Sequence, residues 1–302
     1  MAETPHEKRS LVIGGHEISA RALEPALYLV ATPIGNLGDI TIRALETLAA
    51  ADVLACEDTR VTRVLLDRYG IRQRPQAYHE YNAEQAGPKL IAALEEGRSV
   101  VLVSDAGTPL VSDPGFRLVQ QALERGLKVV PVPGASAVLA ALTASGLPSD
   151  AFLFAGFLPV KETQRRARLE ELKAVPATLI FFESPRRLAA SLASMVVVLG
   201  ERPAAIAREL TKTFEETISS LLPELAAHYA GVEAPKGEVV ICVGPPAEVA
   251  AFSPADTDKL LLSLIKEMPA SKAAAEAARL TGGRKSELYQ RLLTLKDAGN
   301  GA

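Results

Sequence analysis

Cysteine is nearly missing from this chain: Cys56 and Cys242 are the only two in 302 residues. They lie far apart in apolar runs, with no Cys/His cluster beside them. That argues against a zinc site and a disulfide framework and leaves two small core side chains. A basic excess is missing too. Lys and Arg total 33 against 36 Asp and Glu, a formal net charge of −3. A protein that holds nucleic acid over its whole surface carries the opposite balance, so any RNA contact must be local. Long apolar runs are also lacking. Stretches such as Met195 to Leu199 fall far short of the roughly 20 residues of a membrane helix. The polar segment Met1 to Ser10 is not followed by an apolar stretch with a cleavage site. No secretory signal is expected, and the chain reads as cytoplasmic with no membrane partner. No internal repeat is visible.

What is present is a hydrophobic share of 48% and a charged share of 23%, enough for two ordinary domains and a small appendage. Residues 1–25 have no sustained period and end at Pro25, which suggests a flexible or loosely packed leader. From Leu27 onward short β-rich runs alternate with helical ones, the pattern of a parallel α/β sheet. Strands are expected at Leu27–Ala31, Val53–Cys56, Val100–Val103 and Val129–Val132. Between them lie helices opened by Asp39, running from Thr59 to Tyr69, from Ala86 to Glu96, from Asp113-Pro114 to Arg125, and from Ser136 to Ser145. Val100–Val103 is apolar at every position, so both of its faces must be covered. Gly146-Leu147-Pro148-Ser149 breaks the pattern and divides a domain over 26–148 from a second α/β set over 149–247. The strands of that set are expected at Phe152–Ala155, Thr178–Phe182, Ala205–Arg208 and Val239–Val243. Residues 254–298 read as purely helical. Ser271 to Leu280 and Ser286 to Leu295, joined by Thr281-Gly282-Gly283, form either a helix–turn–helix or a small packing module.

In open parallel sheets ligands bind beyond the carboxyl ends of the strands. Three segments there carry turn-forming residues: Thr32 to Asp39, Ser104 to Pro109, and Pro133 to Ser136. Each alone is ordinary turn chemistry. Together they form a set whose glycines admit a flat ligand close to the backbone, with Asp105 as an acceptor beside the gap. The first loop is not a dinucleotide-binding fingerprint. Glu57-Asp58 is the nearest candidate for a ribose acceptor, and the lysine of a phosphate-binding loop is absent. The second α/β set offers Phe181 to Arg187 and Arg208 to Lys212 at strand ends. Arg186, Arg187, Arg208 and Lys212 could hold phosphates in a cleft facing the first three loops.

Four stretches, in this order and spacing, resemble the RsmI-type ribosomal RNA ribose methyltransferases of the tetrapyrrole-methylase-like group. They are Leu29 to Asp39, Cys56 to Arg60, Ser104 to Pro109, and Phe182 to Arg187. The likeness runs from about Leu27 to Val243, and the helical tail is similar as well. It implies two α/β domains of the class III S-adenosylmethionine methyltransferase type, a small C-terminal helical module, and S-adenosylmethionine folded into the cleft between the domains. It also implies a homodimer acting on a cytidine ribose of small-subunit (16S) ribosomal RNA. The wider group's cofactor positions map onto Ile34, Asp105, Thr108, Ser136, Ala137, Ala207 and Gly237. The loop at Phe182 and Glu183 is expected to close over the adenosine side.

The resulting expectation is in-line attack of a ribose 2′-oxygen on the cofactor methyl, with the protein aligning the two. Candidates for a base or a helpful cation are Glu183, Glu209, Asp58 and Lys212, and the sequence does not choose among them. Arg60, Arg186 and Arg208 are the candidates for substrate contacts. The modest charge suits an assembled 30S subunit better than naked RNA. Two other readings stay open. One is a tetrapyrrole or diphthine-type methyltransferase of the same fold, and the other is a non-catalytic RNA-binding assembly factor.

Overall fold

A computed structural model describes residues 9–113, 115–247 and 253–299 of the chain. The first element departs from the expected loose leader. β1 (Ser10–Ile13) and β2 (His16–Ser19) pair antiparallel. Leu11 is fully buried in the same core as Leu45, Leu48 and Leu66. Arg9 adds an ion pair to Asp52 at 2.7 Å. One buried leucine contributes about 2 kcal/mol, enough to hold a short hairpin that has no period long enough to be read in advance.

β3 (Leu27–Val30), β4 (Val53–Cys56), β5 (Gln76–Ala77), β6 (Val100–Val103) and β7 (Val129–Val132) form a parallel sheet in the order β5-β4-β6-β3-β7. β6 is buried at all four positions, as its unbroken apolar run requires. β7 is an edge strand, which tolerates Pro131 without a lost ladder bond.

Helix α1 (Ile42–Ala50) is capped by Thr41, whose hydroxyl accepts from the Ala44 amide at 3.0 Å. Asp39, expected to open this helix, instead ends a 3₁₀ turn over Leu37–Asp39. α2 (Thr59–Arg68) is capped by the Asp58 carboxylate, a contact worth about 1 kcal/mol. α3 (Ala83–Glu95) precedes β6. α4 (Phe116–Glu124) starts after Gly115 at φ +129°, so the expected cap Asp113 lies outside the helix and Pro114 lies outside the described residues. α5 (Ala137–Ser145) is capped by Ser136 and buries Val138, Ala141 and Leu142.

β8 (Phe152–Phe157), α6 (Glu162–Leu172), β9 (Thr178–Glu183), α7 (Leu188–Leu199), β10 (Pro203–Arg208), β11 (Glu216–Leu221), α8 (Leu222–Ala230) and β12 (Val239–Val243) make the second layer. Its sheet has the order β11-β10-β12-β9-β8. It is not the parallel sheet the alternation suggested. Only β8 and β9 pair parallel, while β12 runs antiparallel to both β9 and β10, and β11 antiparallel to β10. The α7 crossover sets β9 and β10 in the same direction, and β12 then fills the gap between them from the opposite direction. α5 packs on this second sheet: its Val138, Ala141 and Leu142 share a core with Ile180, Ala205, Ala207 and Cys242. Ile34, from the loop after β3, joins the same core, so that loop is held against the second sheet.

A separate unit over residues 247–302 contains α9 (Pro254–Glu267), α10 (Ala270–Thr281) and α11 (Lys285–Gly299). Leu261, Ala277, Leu288 and Leu292 form its core, and Gly282 at φ +71° closes α10. Pro269, rather than the expected Ser271, precedes that helix. Among the described residues, no helix is long and apolar enough to cross a membrane.

Candidate functional site

The three loops beyond the first sheet are stitched to one another. Thr32 and Gly107 exchange backbone hydrogen bonds at 2.9 and 3.0 Å, which joins the loops after β3 and β6. The Thr32 hydroxyl donates to the Ser104 carbonyl at 3.2 Å, and the Thr108 hydroxyl to the Ala135 carbonyl at 3.5 Å. Gly107 has φ +79°, and a Cβ there would press on Ile34 at 3.3 Å. Glycine therefore lets the backbone turn so close to its neighbour.

These loops and the ends of the second sheet wall a single cavity of about 500 Å³. Six of the seven residues expected at the cofactor lie in its wall: Ile34, Asp105, Thr108, Ser136, Ala137 and Gly237. The seventh, Ala207, is buried in the core under α5 and does not reach it. Phe182 and Glu183 also line the cavity, and Phe182 stacks edge-on with Phe154 and Phe157.

One wall gathers three carboxylates, Glu57, Asp105 and Asp113. Burial, followed by the neighbouring charge of Glu57, pushes the Asp113 carboxyl up to about 6, against a weaker downward pull from the Ser104 hydroxyl. Glu57 and Asp105 are raised as well, in each case first by burial. Asp113 precedes Pro114 as a helix cap would, and only the folded chain reveals its place in this wall. Leu110 and Ser112 on the same loop hold positive φ values of 74° and 65°, a conformation that costs a side chain of order 1 kcal/mol. A larger hollow of about 1110 Å³ beside the β1–β2 hairpin touches none of these loops. Several of its polar side chains serve the fold: Arg9 holds Asp52, and Gln73 donates to the carbonyls of Ala49 and Ala51.

Each group considered as a base is already engaged. The Glu183 side chain is wholly enclosed, taking hydrogen bonds from the Ser184 amide and the Ser191 hydroxyl and lying 3.3 Å from Arg187. Lys212 bridges Glu209 at 2.8 Å and Glu238 at 2.9 Å. Burial draws its ammonium down, but hydrogen bonds to the two carboxylates outweigh this and raise it. Glu209 is lowered in return, first by the bond from Lys212. Asp58 is held down to about 2 by Arg60.

The Lys212 stem lies against Gly35, where a Cβ would come within 2.5 Å of it, and the Asn36 amide donates to the Thr211 hydroxyl at 3.1 Å. The loop after β10 is thus fastened to the loop after β3. Of the three substrate candidates, Arg60 and Arg186 are exposed, and Arg60 stands at the start of α2. Arg208 is elsewhere. It pairs with Glu216 at 3.1 Å and lines a hollow with Tyr229 and Lys236, because β11 pairs alongside and supplies its partner.

A second cavity of about 350 Å³ adjoins the first, sharing Ile34, Asp105, Ala106 and Glu238 in its wall. Its other side is α2, through Val61, Thr62, Val64 and Leu65, and Lys212 stands at its edge. The two cysteines have no part in either cavity. Both are buried and free, and burial pushes the Cys242 thiol up to about 12.

Residues 26–226 match the family of Tetrapyrrole (Corrin/Porphyrin) Methylases, and residues 251–296 match the RsmI C-terminal HTH domain. The chain is 73% identical over 287 residues to the Ribosomal RNA small subunit methyltransferase I of Mesorhizobium japonicum, covering 95% of this chain and 97% of that protein. It is 48% identical to the protein of that name from Escherichia coli O157:H7, over 90% of this chain and 96% of the other. Among solved structures, the fold is similar to a diphthine synthase (TM-score 0.56, 17% identity, 72% of this chain and 90% of that one). It is also similar to a uroporphyrin-III-C-methyltransferase from Thermus thermophilus (TM-score 0.52, 21% identity, 73% and 94%).

Proposed function

This chain belongs to the tetrapyrrole methylase family, in its ribosomal RNA small subunit methyltransferase I branch, and from that premise we propose that it methylates the ribose 2′-oxygen of a cytidine in 16S rRNA. At the coarser level it is an S-adenosylmethionine-dependent methyltransferase of small-subunit ribosomal RNA. The finer reading rests on one observation above all: loops from two sheets wall one cavity, and a smaller cavity shares its boundary.

The larger cavity fits the cofactor in size and chemistry. Its volume is within the usual range for small-molecule sites. Asp105, Glu57 and Asp113 set negative charge along one wall, which suits a sulfonium cation and offers acceptors to ribose hydroxyls. Ile34, Val111 and Phe157 supply apolar surface for a purine. Bound there, the cofactor supplies an electrophilic methyl on a cationic sulfur.

The rest falls to the chain's own residues. Asp105, in the wall that both cavities share and raised first by burial, is suited to accept the proton of a ribose hydroxyl. Lys212 sets a fixed cation at the boundary of the smaller cavity, where it would favour developing negative charge on oxygen. Glu209 and Glu238 hold that lysine in place, and Glu183 acts as a positioning residue for the Ser184–Arg187 turn. Arg60 and Arg186 stand exposed for phosphate contacts.

The test is to incubate the protein and S-adenosylmethionine with assembled small subunits or with free 16S rRNA, then map the product by mass spectrometry. The expected result is 2′-O-methylcytidine at one position, formed far faster on the assembled subunit. A base-methylated product, or equal rates on both substrates, would overturn the corresponding part of the reading.

A further inference from the structure

Helix α2 presents an unusual face. Val61 and Val64 are 44% and 60% exposed, although they stand above the fully enclosed Leu66 and the buried Leu65. They are three residues apart and so share one side of the helix. Arg60 and Arg63 alternate with them along the exposed surface, and Arg63 is engaged in no ion pair among the described residues. Exposed aliphatic side chains gain nothing from water, and a cluster of them at a cavity mouth marks a contact surface. Here the same two valines wall the 350 Å³ cavity that adjoins the cofactor cavity.

We infer that this smaller cavity receives the target nucleoside, turned out of its RNA strand, with its base against Val61 and Val64 and its sugar toward the shared wall at Ile34 and Asp105. The inference rests on the cofactor reading of the larger cavity and adds the place and chemistry of the acceptor. Three features favour a nucleoside over a protein segment or a second copy of the chain. The cavity adjoins the methyl-donor cavity across Ile34, Asp105, Ala106 and Glu238, which puts an occupant's reactive atom beside the donor. Its wall is chiefly apolar, from Pro33, Leu37, Val61, Val64 and Leu65, and presents a surface for the flat face of a base. Lys212 stands in its wall and Arg60 is exposed one residue before Val61, cations that suit the phosphates on either side of an extruded nucleotide. A base stacked in a helix has both faces covered by its neighbours, so a base lying against Val61 and Val64 must have been turned out of the stack.

The experiment fills the cavity without adding charge. Val64→Trp is compared with Val197→Trp, an equally exposed valine on α7 that touches neither cavity. Wild-type transfer to small subunits, with the product mapped, tests the underlying function separately. For Val64→Trp, kcat/KM on subunits is expected to fall about a hundredfold, while calorimetric affinity for S-adenosylmethionine stays within about twofold of wild type, as for the Val197→Trp control. Unchanged transfer by Val64→Trp would overturn the inference. So would a parallel loss of cofactor affinity, which would assign the cavity to the cofactor. Independently of folding effects, a benzophenone amino acid at position 61 should crosslink to the rRNA nucleotide that wild type methylates or to its immediate neighbours. Crosslinks mapping elsewhere in the rRNA, or to protein, would also overturn it.

Discussion

The backbone amide of Asp58 donates to Oδ1 of Asp105 at 2.9 Å, clamping the end of β4 to the end of β6. The clamp brings Glu57 and Asp105 to the same wall, and the loop after Thr108 adds Asp113. Three carboxyl groups so crowded favour any ligand that brings positive charge.

Cofactor affinity should therefore depend on pH in a defined direction. A sulfonium draws the Asp113 carboxyl below the value of about 6 that it holds alone. Binding then releases a proton at low pH, and affinity for S-adenosylmethionine rises with pH until it passes about 6 and levels off. The rise should approach tenfold per pH unit below that point. S-adenosylhomocysteine, with a neutral sulfur, should give a much flatter profile. Calorimetry of both ligands across this range checks it, and identical profiles would remove the carboxylates from the cation's surroundings. Asp113→Asn should flatten the curve for S-adenosylmethionine.

Glu183 separates a positioning role from a basic one. Its enclosed carboxylate lies beside Arg187 and accepts from Ser184 and Ser191. Glu183→Ala should cost roughly 3 kcal/mol of stability, because the half-buried Arg187 loses its partner and the Ser184 amide and Ser191 hydroxyl lose their acceptor. Glu183→Gln keeps acceptors for Ser184 and Ser191. It should retain methyl transfer within about tenfold when folded. A loss of about a thousandfold with an unchanged Tm would identify Glu183 as the base instead.

Gly237 has φ +97°, and a Cβ there would overlap the carboxyl group of Glu209. Gly237→Ala should displace Glu209 and with it the anchor of Lys212, at a cost of about 1–3 kcal/mol. Thermal unfolding should drop and cofactor affinity should weaken together. Wild-type values for both would mean that the loop relaxes freely.

Arg186 and Arg208 should behave differently although both are basic residues at strand ends. Arg186 is exposed at the cavity's turn, so Arg186→Ala should weaken subunit binding and reduce the salt slope by about 1, with cofactor affinity intact. Arg208 is occupied by Glu216 away from the cavity. Arg208→Ala should cost under about 1 kcal/mol and leave RNA binding unchanged. Filter binding across salt concentrations distinguishes the two, and equal losses would return Arg208 to the substrate surface.

Much of this site was legible from local pattern. Apolar runs such as Val100–Val103 and Val239–Val243 marked buried strands, because a strand covered on both faces has no polar side. Ser136 marked the start of α5 through its capping hydroxyl. β5, two residues long, and β11, a half-exposed edge strand, carried no such signal. Nor did the direction of strands in the second sheet, since pairing partners are chosen across long stretches of chain.

The sequence by itself determined which loops would lie together at the strand ends and to which family the chain belongs, because turn residues at strand ends are a local property. Only the tertiary structure decided which charged groups meet there. It drew Asp113 into the cavity, took Arg208 out of it through Glu216, and locked Glu183 against Arg187. The physical reason is that a charge's role depends on its burial and its partner, and both are supplied by residues on other strands.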